Sequence, residues 1–235
     1  MKCRQWFIAS VILFATKVVA MESGLNKRQF NKFWRVESEA PDYHVAFSGD
    51  TCEILSPKGL TLWRKEKMRL GITVEYDACI VDEGKAGDRL SDMNCFWLAS
   101  DPHAKDLWAR ANWRSGIFTR CYTLQMYYLG YGGNHNTTTR FRRYDGDEAG
   151  VEDVAKRPTI LKEYTDAAHL LRPNHWYHVK IESTMTGRTR FYIDGSVSWI
   201  ISILSSWKVA GSGLGQPCRE PVSRTSIHTR LRSCL

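Results

Sequence analysis

The feature that most constrains this chain is its central part, in which short runs of aromatic and β-branched residues are separated by Gly, Asp, Asn and Pro. Runs of this kind between turn-forming residues are typical of antiparallel strands. In residues 72–78 apolar and polar side chains alternate, which predicts a strand with one buried and one solvated face. Residues 179–182 repeat the alternation, and Gly187 ahead of residues 189–193 indicates a hairpin.

We therefore predict a series of short strands and one short helix. The helix would begin at Asp101, because an aspartate followed by a proline suits the first turn of a helix. Many short strands with few helices favour an all-β, two-sheet antiparallel β-sandwich. The predicted strands are residues 43–47, 51–55, 60–63, 72–81, 95–99, 116–121, 122–129, 138–144, 177–183 and 189–193.

The two ends of the chain differ from this pattern. Lys2 and Arg4 precede an apolar run at residues 6–15, and small residues at 18–20 suit a cleavage site. Residues 1–20 are therefore predicted to be a signal peptide, which makes the protein secreted or periplasmic, with no stable membrane span after cleavage.

We predict one sandwich domain at residues 21–206. Residues 207–235 are rich in Ser, Arg, Gly and Pro and show no clear strand pattern. We interpret them as an atypical tail, either disordered or produced by a shifted reading frame. The last strands of the sandwich would then be missing or altered, which would expose a sheet edge.

The charge of the chain lies mostly at its ends. The formal net charge is +8, but residues 21–206 are nearly neutral once the basic residues of the two ends are set aside. General nucleic-acid binding is therefore not favoured. We predict that Cys52, Cys79, Cys95 and Cys121 are mostly buried apolar residues on strands, with a disulfide as the alternative.

The densest combination of aromatic and polar residues lies at residues 127–146. Sugars have apolar faces and hydroxyl edges, so a sugar site needs flat rings together with amide, carboxylate or guanidinium groups. On a strand, Arg140, Arg142 and Tyr144 would share one face. Two arginines at this spacing could bind a uronate carboxylate bidentately. The alternative is a solvated sheet face next to an ordinary turn.

A second candidate group consists of tryptophans and one arginine. Trp97 has Phe96 as its oppositely facing neighbour, so one of the two belongs to the core and the other can face a groove. Trp113 and Arg114 precede a predicted strand, where they could stack on a sugar and form an ion pair. The alternative for each tryptophan is core packing.

Metal and cofactor chemistry receives little support from the sequence. His175 and His178 would point to opposite faces of an extended segment, so a shared metal is not expected. The acidic residues Asp82, Glu83, Asp88 and Asp92 form either a solvated loop or a structural calcium site. We predict no catalytic metal and no cofactor. Zinc-protease, serine-hydrolase and phosphate-loop motifs are absent from the sequence.

Several motifs resemble an uncharacterised family of secreted proteins from gut Bacteroidetes, similar to proteins of rhamnogalacturonan-utilisation loci. They are YHVAF (43–47), SDMNCFW (91–97), WRSG (113–116), GYGGN (130–134), RFRRY (140–144), NHWYH (174–178) and FYIDG (191–195). The resemblance covers about residues 30–195 and implies a concanavalin A-like lectin/glucanase fold, which is a jelly-roll sandwich. It fades after about Ser196, where the family continues with further strands.

This resemblance implies a protein that acts on an acidic plant-type polysaccharide, as a uronate-directed lyase or a glycoside hydrolase. A non-catalytic carbohydrate-binding module is the alternative. In a lyase, Arg140 and Arg142 would neutralise the uronate, while His135 and Tyr144 would transfer protons. The predicted substrate-binding residues are Trp97, Trp113, Arg114, Tyr128, Tyr131, Asn134, Arg140 and Arg142.

Overall fold

The computed structural model describes residues 26–49, 51–67, 71–85, 88–186, 188–202 and 225–231. The predicted signal peptide lies outside these residues. The described part contains a short N-terminal helix, α1 (Lys27–Phe33), and a helical turn, α2 (Ala111–Arg114). The strands are β1 (Trp34–Ser38), β2 (His44–Ser48), β3 (Thr51–Ser56), β4 (Leu60–Arg64), β5 (Ile72–Val81), β6 (Met93–Ser100), β7 (Gln125–Gly132), β8 (Thr138–Asp145), β9 (Thr159–Tyr164), β10 (Trp176–Ser183), β11 (Arg188–Ile193), β12 (Ser196–Ser202) and β13 (Thr225–Leu231).

These strands form an all-antiparallel arrangement of sheets in the described chain. A seven-stranded sheet has the order β12-β11-β10-β5-β13-β3-β2, and a four-stranded sheet has the order β6-β7-β8-β9. Strands β1 and β4 pair separately. Burial alternates strictly along β10, as the sequence pattern predicts for a strand with one buried face. The prediction of an all-β antiparallel sandwich is confirmed.

The main core lies between the two large sheets. It combines residues of β5, β10 and β11 with residues of β6, β7 and β8, including Tyr76, Val179, Phe191, Trp97 and Phe141. Burial of these apolar side chains is the dominant stabilising contribution in such a sandwich.

A second core covers part of the outer face of the four-stranded sheet. The short 3₁₀-helix Phe118–Thr123 packs there with Trp63 of β4. Trp63 stacks on Phe96 of β6 with ring centroids 5.7 Å apart. The part of this outer face that the helix leaves uncovered forms the floor of a cleft.

The C-terminal strand differs from our expectation. We predicted no strand in residues 207–235, but β13 lies there and pairs with both β5 and β3. The aliphatic or β-branched residues Ile227, Thr229 and Leu231 alternate with His228 and Arg230 in the sequence, and this short alternation is the signal that the prediction missed. Residues 207–224 and 232–235 lie outside the described residues.

Two further local predictions need correction. Residues 116–121 were predicted as a strand, but the 3₁₀-helix Phe118–Thr123 occupies most of this segment. The segment after Asp101 forms turns, and the helical turn there is the later α2. Among the described helices, none combines the length and the apolar character needed to cross a bilayer.

The cysteine prediction is largely confirmed. Cys52, Cys79, Cys95 and Cys121 are buried with free thiols. The first three lie on strands, whereas Cys121 lies in the 3₁₀-helix. Burial raises the pKa of the Cys52 and Cys95 thiols to about 12, which keeps them protonated and unreactive.

Candidate functional site

An open cleft of about 420 Å³ lies on the outer face of the four-stranded sheet. Strands β7 and β8 form its floor, and the 3₁₀-helix Phe118–Thr123 together with Glu39 forms one wall. The β7–β8 turn and the segment ahead of β6 close one end. The lining residues are Glu39, Arg89, Asp92, Ile117, Phe118, Thr119, Tyr122, Tyr128, Gly130, Gly133, Asn134, His135, Thr138, Arg140, Arg142 and Arg157.

In the floor of the cleft, the Tyr128 side chain packs directly against Gly130. A Cβ atom at Gly130 would lie 2.4 Å from the Tyr128 hydroxyl and less than 3.0 Å from two ring atoms. The absence of a side chain at Gly130 therefore allows the Tyr128 ring to lie along the strand. Tyr128 is 5% exposed because it also packs against Phe96 and Phe118.

The turn between β7 and β8, residues Gly133–Asn136, has an unusual backbone. Asn134, His135 and Asn136 have φ angles of 52°, 57° and 58°, which is the left-handed region. Such angles are costly outside glycine and persist only when surrounding contacts fix them. The Asn136 side chain provides these contacts, since it donates to the Leu171 carbonyl at 2.9 Å and accepts from the Leu171 N–H at 2.8 Å. The turn presents His135 exposed at the rim of the cleft.

Two of the four arginines in the cleft are neutralised by carboxylates. Arg140 forms an ion pair with Glu163 of β9. Arg89 lies 3.1 Å from a carboxylate oxygen of Asp92. These two arginines therefore contribute little net charge to the cleft.

The other two arginines have no carboxylate partner in the described chain. Arg142 is half-buried and donates to the Pro158 carbonyl at 2.6 Å. Arg157 is exposed. No carboxylate oxygen of the described residues lies within 4.0 Å of either guanidinium group. The middle of the cleft is consequently electropositive.

Carboxylates are also present in the cleft, but one of them is already engaged. Asp92 accepts a hydrogen bond from the Ser91 hydroxyl at 2.8 Å in addition to its ion pair. Glu39 lies 3.8 Å from the ammonium group of Lys58. Within the described residues, no group of three His, Cys, Asp or Glu side chains is arranged to hold a metal ion.

The structure brings five of the predicted site residues together. Tyr128, Asn134, His135, Arg140 and Arg142 all line the cleft. The predicted face shared by Arg140 and Arg142 is the floor of this cleft. Their proposed roles remain predictions.

Three other predicted site residues are buried, which corrects their assignment to substrate contact or catalysis. Trp97 is 3% exposed and stacks with Phe191 in the core between the sheets. Tyr131 is 5% exposed and packs edge-on against Tyr177 in the same core. Tyr144 shares the outer face of β8 with the arginines, but it is 0% exposed and packs against Tyr122 of the 3₁₀-helix and against Phe96. Trp97 and Tyr131 face the core between the sheets and Tyr144 belongs to the second core, so none of the three side chains lines the cleft.

Arg114 is a further correction, because it is a buried structural residue. Its guanidinium donates to both carboxylate oxygens of Glu37, at 3.1 and 2.8 Å, and to Asp101 at 3.4 Å. It also donates to the Leu107 carbonyl at 2.6 Å. Burial raises the pKa of Glu37 above its ordinary value of 4.5, although the Arg114 charge opposes this shift. The cluster connects α2 to β1 and to the end of β6.

Trp113 is accessible but lies outside the cleft lining. Its ring is 40% exposed, with the guanidinium carbons of Arg110 and Arg120 at 4.4 and 5.2 Å from the ring centroid. The sequence prediction paired Trp113 with Arg114, whereas the structure pairs it with these two arginines. The reason is that neighbours on a helical turn point in different directions.

Sequence reasoning missed several lining residues. Glu39, Arg89, Phe118, Tyr122 and Arg157 come from segments on either side of the β7–β8 hairpin. Their spacing along the chain carries no periodic signal, so only the tertiary structure reveals that they meet. The basic residue Arg157 next to Pro158, in the segment between β8 and β9, was the nearest available hint.

The sheet order and the open cleft define a β-sandwich of the galectin and concanavalin A-like class. A solved protein of unknown function with a galectin-like fold from Bacillus subtilis is similar, with a TM-score of 0.57 and 14% identity over 89% of this chain and 87% of that chain. A GH16 protein of the Bacteroides ovatus mixed linkage glucan locus, in complex with its product, matches with a TM-score of 0.51 and 11% identity over 87% and 95%. The alginate lyase Aly36B matches with a TM-score of 0.50 and 12% identity over 90% and 91%.

Sequence comparison identifies the family. Residues 54–207 match the family described as "Domain of unknown function (DUF6250)". Because the match covers more than half of the chain, the chain belongs to this family. No curated protein sequence matches the chain.

Proposed function

We propose that this chain is a carbohydrate-active protein that binds an acidic, plant-type polysaccharide in the cleft, and that it works outside the cytoplasm, secreted or periplasmic. The fold is shared with a GH16 protein and with an alginate lyase, which supports a carbohydrate ligand. The resemblance to proteins of rhamnogalacturonan-utilisation loci points to a uronate-containing polymer. The nearly neutral charge of residues 21–206 gives little support to general nucleic-acid binding.

The observation that carries the proposal is the uncompensated charge of Arg142 and Arg157. A half-buried guanidinium next to aromatic side chains attracts an anion more strongly than a fully solvated one, because the local dielectric is lower. Arginine also matches the geometry of a carboxylate through two parallel hydrogen bonds. A polymer with one carboxylate per sugar would supply the missing partners.

A neutral polysaccharide fits the cleft less well. Binding of uncharged sugars relies on aromatic rings that present a free face. Tyr128 and Tyr122 line the cleft but are only 5% and 7% exposed, since their faces pack on neighbouring rings. Charge, rather than stacking, is therefore the main source of affinity that the cleft offers.

The test measures affinity for polygalacturonate and for a neutral mixed-linkage β-glucan by titration calorimetry. Loss of one charge-assisted contact should weaken polygalacturonate binding by about tenfold in each of the variants Arg142→Gln and Arg157→Gln. The control is Arg188→Gln, because Arg188 is an exposed arginine of β11 without a carboxylate partner in the described chain. Equal affinities for all variants, or preference for the neutral glucan, would contradict the proposal.

Within this function, a β-eliminating lyase is favoured over a hydrolase by the groups present. A hydrolase needs two available carboxyl groups, whereas Asp92 is already held by Arg89 and Ser91. A lyase needs a cation that neutralises the uronate, a base and an acid. Arg142 and the exposed His135 of the same cleft suit the first two roles, and the Tyr128 hydroxyl takes the third role that was predicted for Tyr144.

In this reaction His135 removes the C5 proton of the uronate while Arg142 stabilises the negative charge on its carboxylate. The electron pair forms the C4–C5 double bond, the C4–O bond breaks, and the leaving oxygen receives a proton from Tyr128. The unsaturated product absorbs ultraviolet light, so continuous absorbance follows the reaction. His135→Gln should abolish product formation while polygalacturonate still binds. Binding by the unaltered protein without any product would instead identify a non-catalytic carbohydrate-binding module.

A further inference from the structure

Outside the cleft, the surface of α2 carries an exposed tryptophan that the proposed function leaves unused. Trp113 is 40% exposed. The neighbouring guanidinium groups of Arg110 and Arg120 lie over its ring. The combination is an aromatic ring within a basic environment.

The two arginines differ in how much charge they have available. Arg110 pairs with Glu148 at 2.8 Å and approaches Asp101 at 3.6 Å. Arg120 donates to the Trp113 carbonyl, and no carboxylate oxygen of the described chain lies within 4.0 Å of it. Arg120 is therefore the residue whose charge is free for a ligand.

A second arginine without a carboxylate partner in the described chain contacts α2 at Asn112, the residue before Trp113. Arg35 of β1 donates to the Asn112 side chain at 2.9 Å, and its guanidinium lies 5.9 Å from the Trp108 ring. It too has no carboxylate within 4.0 Å in the part of the chain that the structure describes. We call Arg35, Trp108, Trp113 and Arg120 the Trp113 patch.

The Trp113 patch is connected to the cleft by one structural element. The 3₁₀-helix Phe118–Thr123 lines the cleft with Phe118, Thr119 and Tyr122. Successive residues of a 3₁₀-helix are separated by one third of a turn, so Arg120 belongs to the remaining side. Its bond to the Trp113 carbonyl shows that this side faces α2. A ligand that leaves the cleft over this wall therefore meets the patch within about one helix diameter, roughly 10 Å.

We propose that the Trp113 patch is a second binding site for the same anionic polysaccharide and holds the part of a long chain that extends beyond the cleft. The proposal rests on the acidic ligand of the proposed function. Arg120 and Arg35 would bind carboxylates, and the exposed Trp113 side chain would contact the apolar face of a sugar. A site of this kind increases affinity for long chains because a single polymer occupies both sites at once.

The experiment compares polygalacturonate with a short galacturonate oligomer that only the cleft can hold. Affinities are measured by titration calorimetry for the unaltered protein and for Arg120→Gln, Trp113→Ala, Arg142→Gln and Arg188→Gln. Thermal unfolding of each variant verifies that the fold is retained.

We expect Arg120→Gln and Trp113→Ala each to weaken polymer binding by about three- to tenfold and to leave oligomer binding within about twofold, because one charged or cation–π contact is lost outside the cleft. Arg142→Gln should weaken both ligands, and Arg188→Gln neither. Equal losses for polymer and oligomer in Arg120→Gln would overturn the proposal. An effect of Arg188→Gln on the polymer as large as that of Arg120→Gln would also overturn it, because it would reveal general charge attraction.

The outcomes also separate this proposal from the proposed function. Polymer binding that depends on Arg120 but not on Arg142 would support the Trp113 patch and refute the cleft. An unaltered protein that binds neither ligand would overturn both proposals.

Discussion

The contact between Tyr128 and Gly130 gives the floor of the cleft its shape. In Gly130→Ala the added methyl group would meet the Tyr128 hydroxyl at 2.4 Å, so the ring has to move. We expect the free energy of unfolding to fall by about 1–3 kcal/mol, as for other overpacked sites. Denaturant titration measures this change.

Gly133→Ala is the matched control for this substitution. The nearest atom to a Cβ at Gly133 lies 3.6 Å away, which is an ordinary van der Waals contact. We expect its unfolding free energy to stay within about 0.5 kcal/mol of the unaltered protein. Equal destabilisation by both substitutions would show that the contact between Tyr128 and Gly130 is not responsible.

Tyr144 offers a test of its reassignment from catalysis to the core. Its hydroxyl is buried and has no hydrogen-bond partner in the described chain, and burial raises its pKa well above the ordinary value of 10.0. Tyr144→Phe should leave the unfolding free energy unchanged or raise it by about 1 kcal/mol, because an unsatisfied polar group is removed. Thermal and denaturant unfolding provide the measurement.

Tyr177→Phe serves as the comparison. The Tyr177 hydroxyl accepts a hydrogen bond from the Arg172 backbone N–H at 2.7 Å. Its removal should lower the unfolding free energy by about 1 kcal/mol. If Tyr144→Phe also lowered stability and reduced glycan turnover, the catalytic assignment of Tyr144 would have to be restored.

Single residues of the site were predictable where they lie close together in sequence. Asn134, His135, Arg140 and Arg142 belong to one hairpin, and the alternation of a strand identifies which of them share a face. The same alternation does not say which face is open or what covers it. Tyr144 shares the face of the arginines and is nevertheless buried, because a helix distant in sequence packs on that end of the strand.

Among the larger elements, the buried cluster that connects α2 to β1 makes a pH-dependent contribution to stability. The pKa of Glu37 is raised above 4.5 in the folded chain, mainly by burial. As pH rises from below 4.5 through the raised pKa, the unfolded chain releases this proton first, so the contribution of Glu37 to stability falls. Glu37→Gln removes this dependence.

We therefore expect the stability of the unaltered protein, relative to Glu37→Gln, to decrease over this pH range. Denaturant unfolding of both proteins at a series of pH values tests this expectation, since the contributions of the other carboxyl groups cancel in the difference between the two free energies of unfolding. A difference that increases with pH would mean that the ion pair with Arg114 outweighs the desolvation of the carboxylate.

Strand β13 is the element on which the seven-stranded sheet depends most. It pairs with β5 on one side and with β3 on the other. A chain that ends at residue 224 should lose cooperative unfolding and aggregate, because two inner strands become unpaired edges. Circular dichroism and size-exclusion chromatography measure this. A chain that ends at residue 231 keeps β13, and its melting temperature should lie within a few degrees of that of the full chain. Equal melting temperatures for the two truncated chains would contradict a role for β13.

The strands with clear alternation, such as β5 and β10, were predictable from the sequence, and the short or irregular elements were not. The 3₁₀-helix Phe118–Thr123 is rich in aromatic and β-branched residues, which on composition alone favour a strand. Its conformation is set by packing on the outer face of the sheet. For β13, the alternation covers only a few residues in a polar segment, so its pairing partners decide its structure.

For the molecule as a whole, the distribution of charge predicts how binding responds to salt. The Debye length falls from about 10 Å at 0.1 M salt to about 3 Å at 1 M salt. We expect the affinity for polygalacturonate to fall by at least about tenfold over this range if the uncompensated arginines of the cleft dominate binding. Titrations at several salt concentrations measure the dependence.

The double variant Arg142→Gln/Arg157→Gln identifies which charges are responsible. It retains all the basic residues near the two ends of the chain, which account for most of the net charge of +8. A weaker salt dependence in the double variant would assign the attraction to the cleft. An unchanged dependence would assign it to the ends.

The position of β13 also determines when the protein can reach its final form. Strand β13 lies inside the seven-stranded sheet but comes after every other described strand in the sequence. The strands on its two sides, β12-β11-β10-β5 and β3-β2, are therefore synthesised before the strand that joins them. The larger sheet therefore cannot be completed from one end of the chain to the other, and the gap between β5 and β3 stays open until residues 225–231 dock. Until β13 docks, the edges of β5 and β3 are unpaired and prone to aggregation.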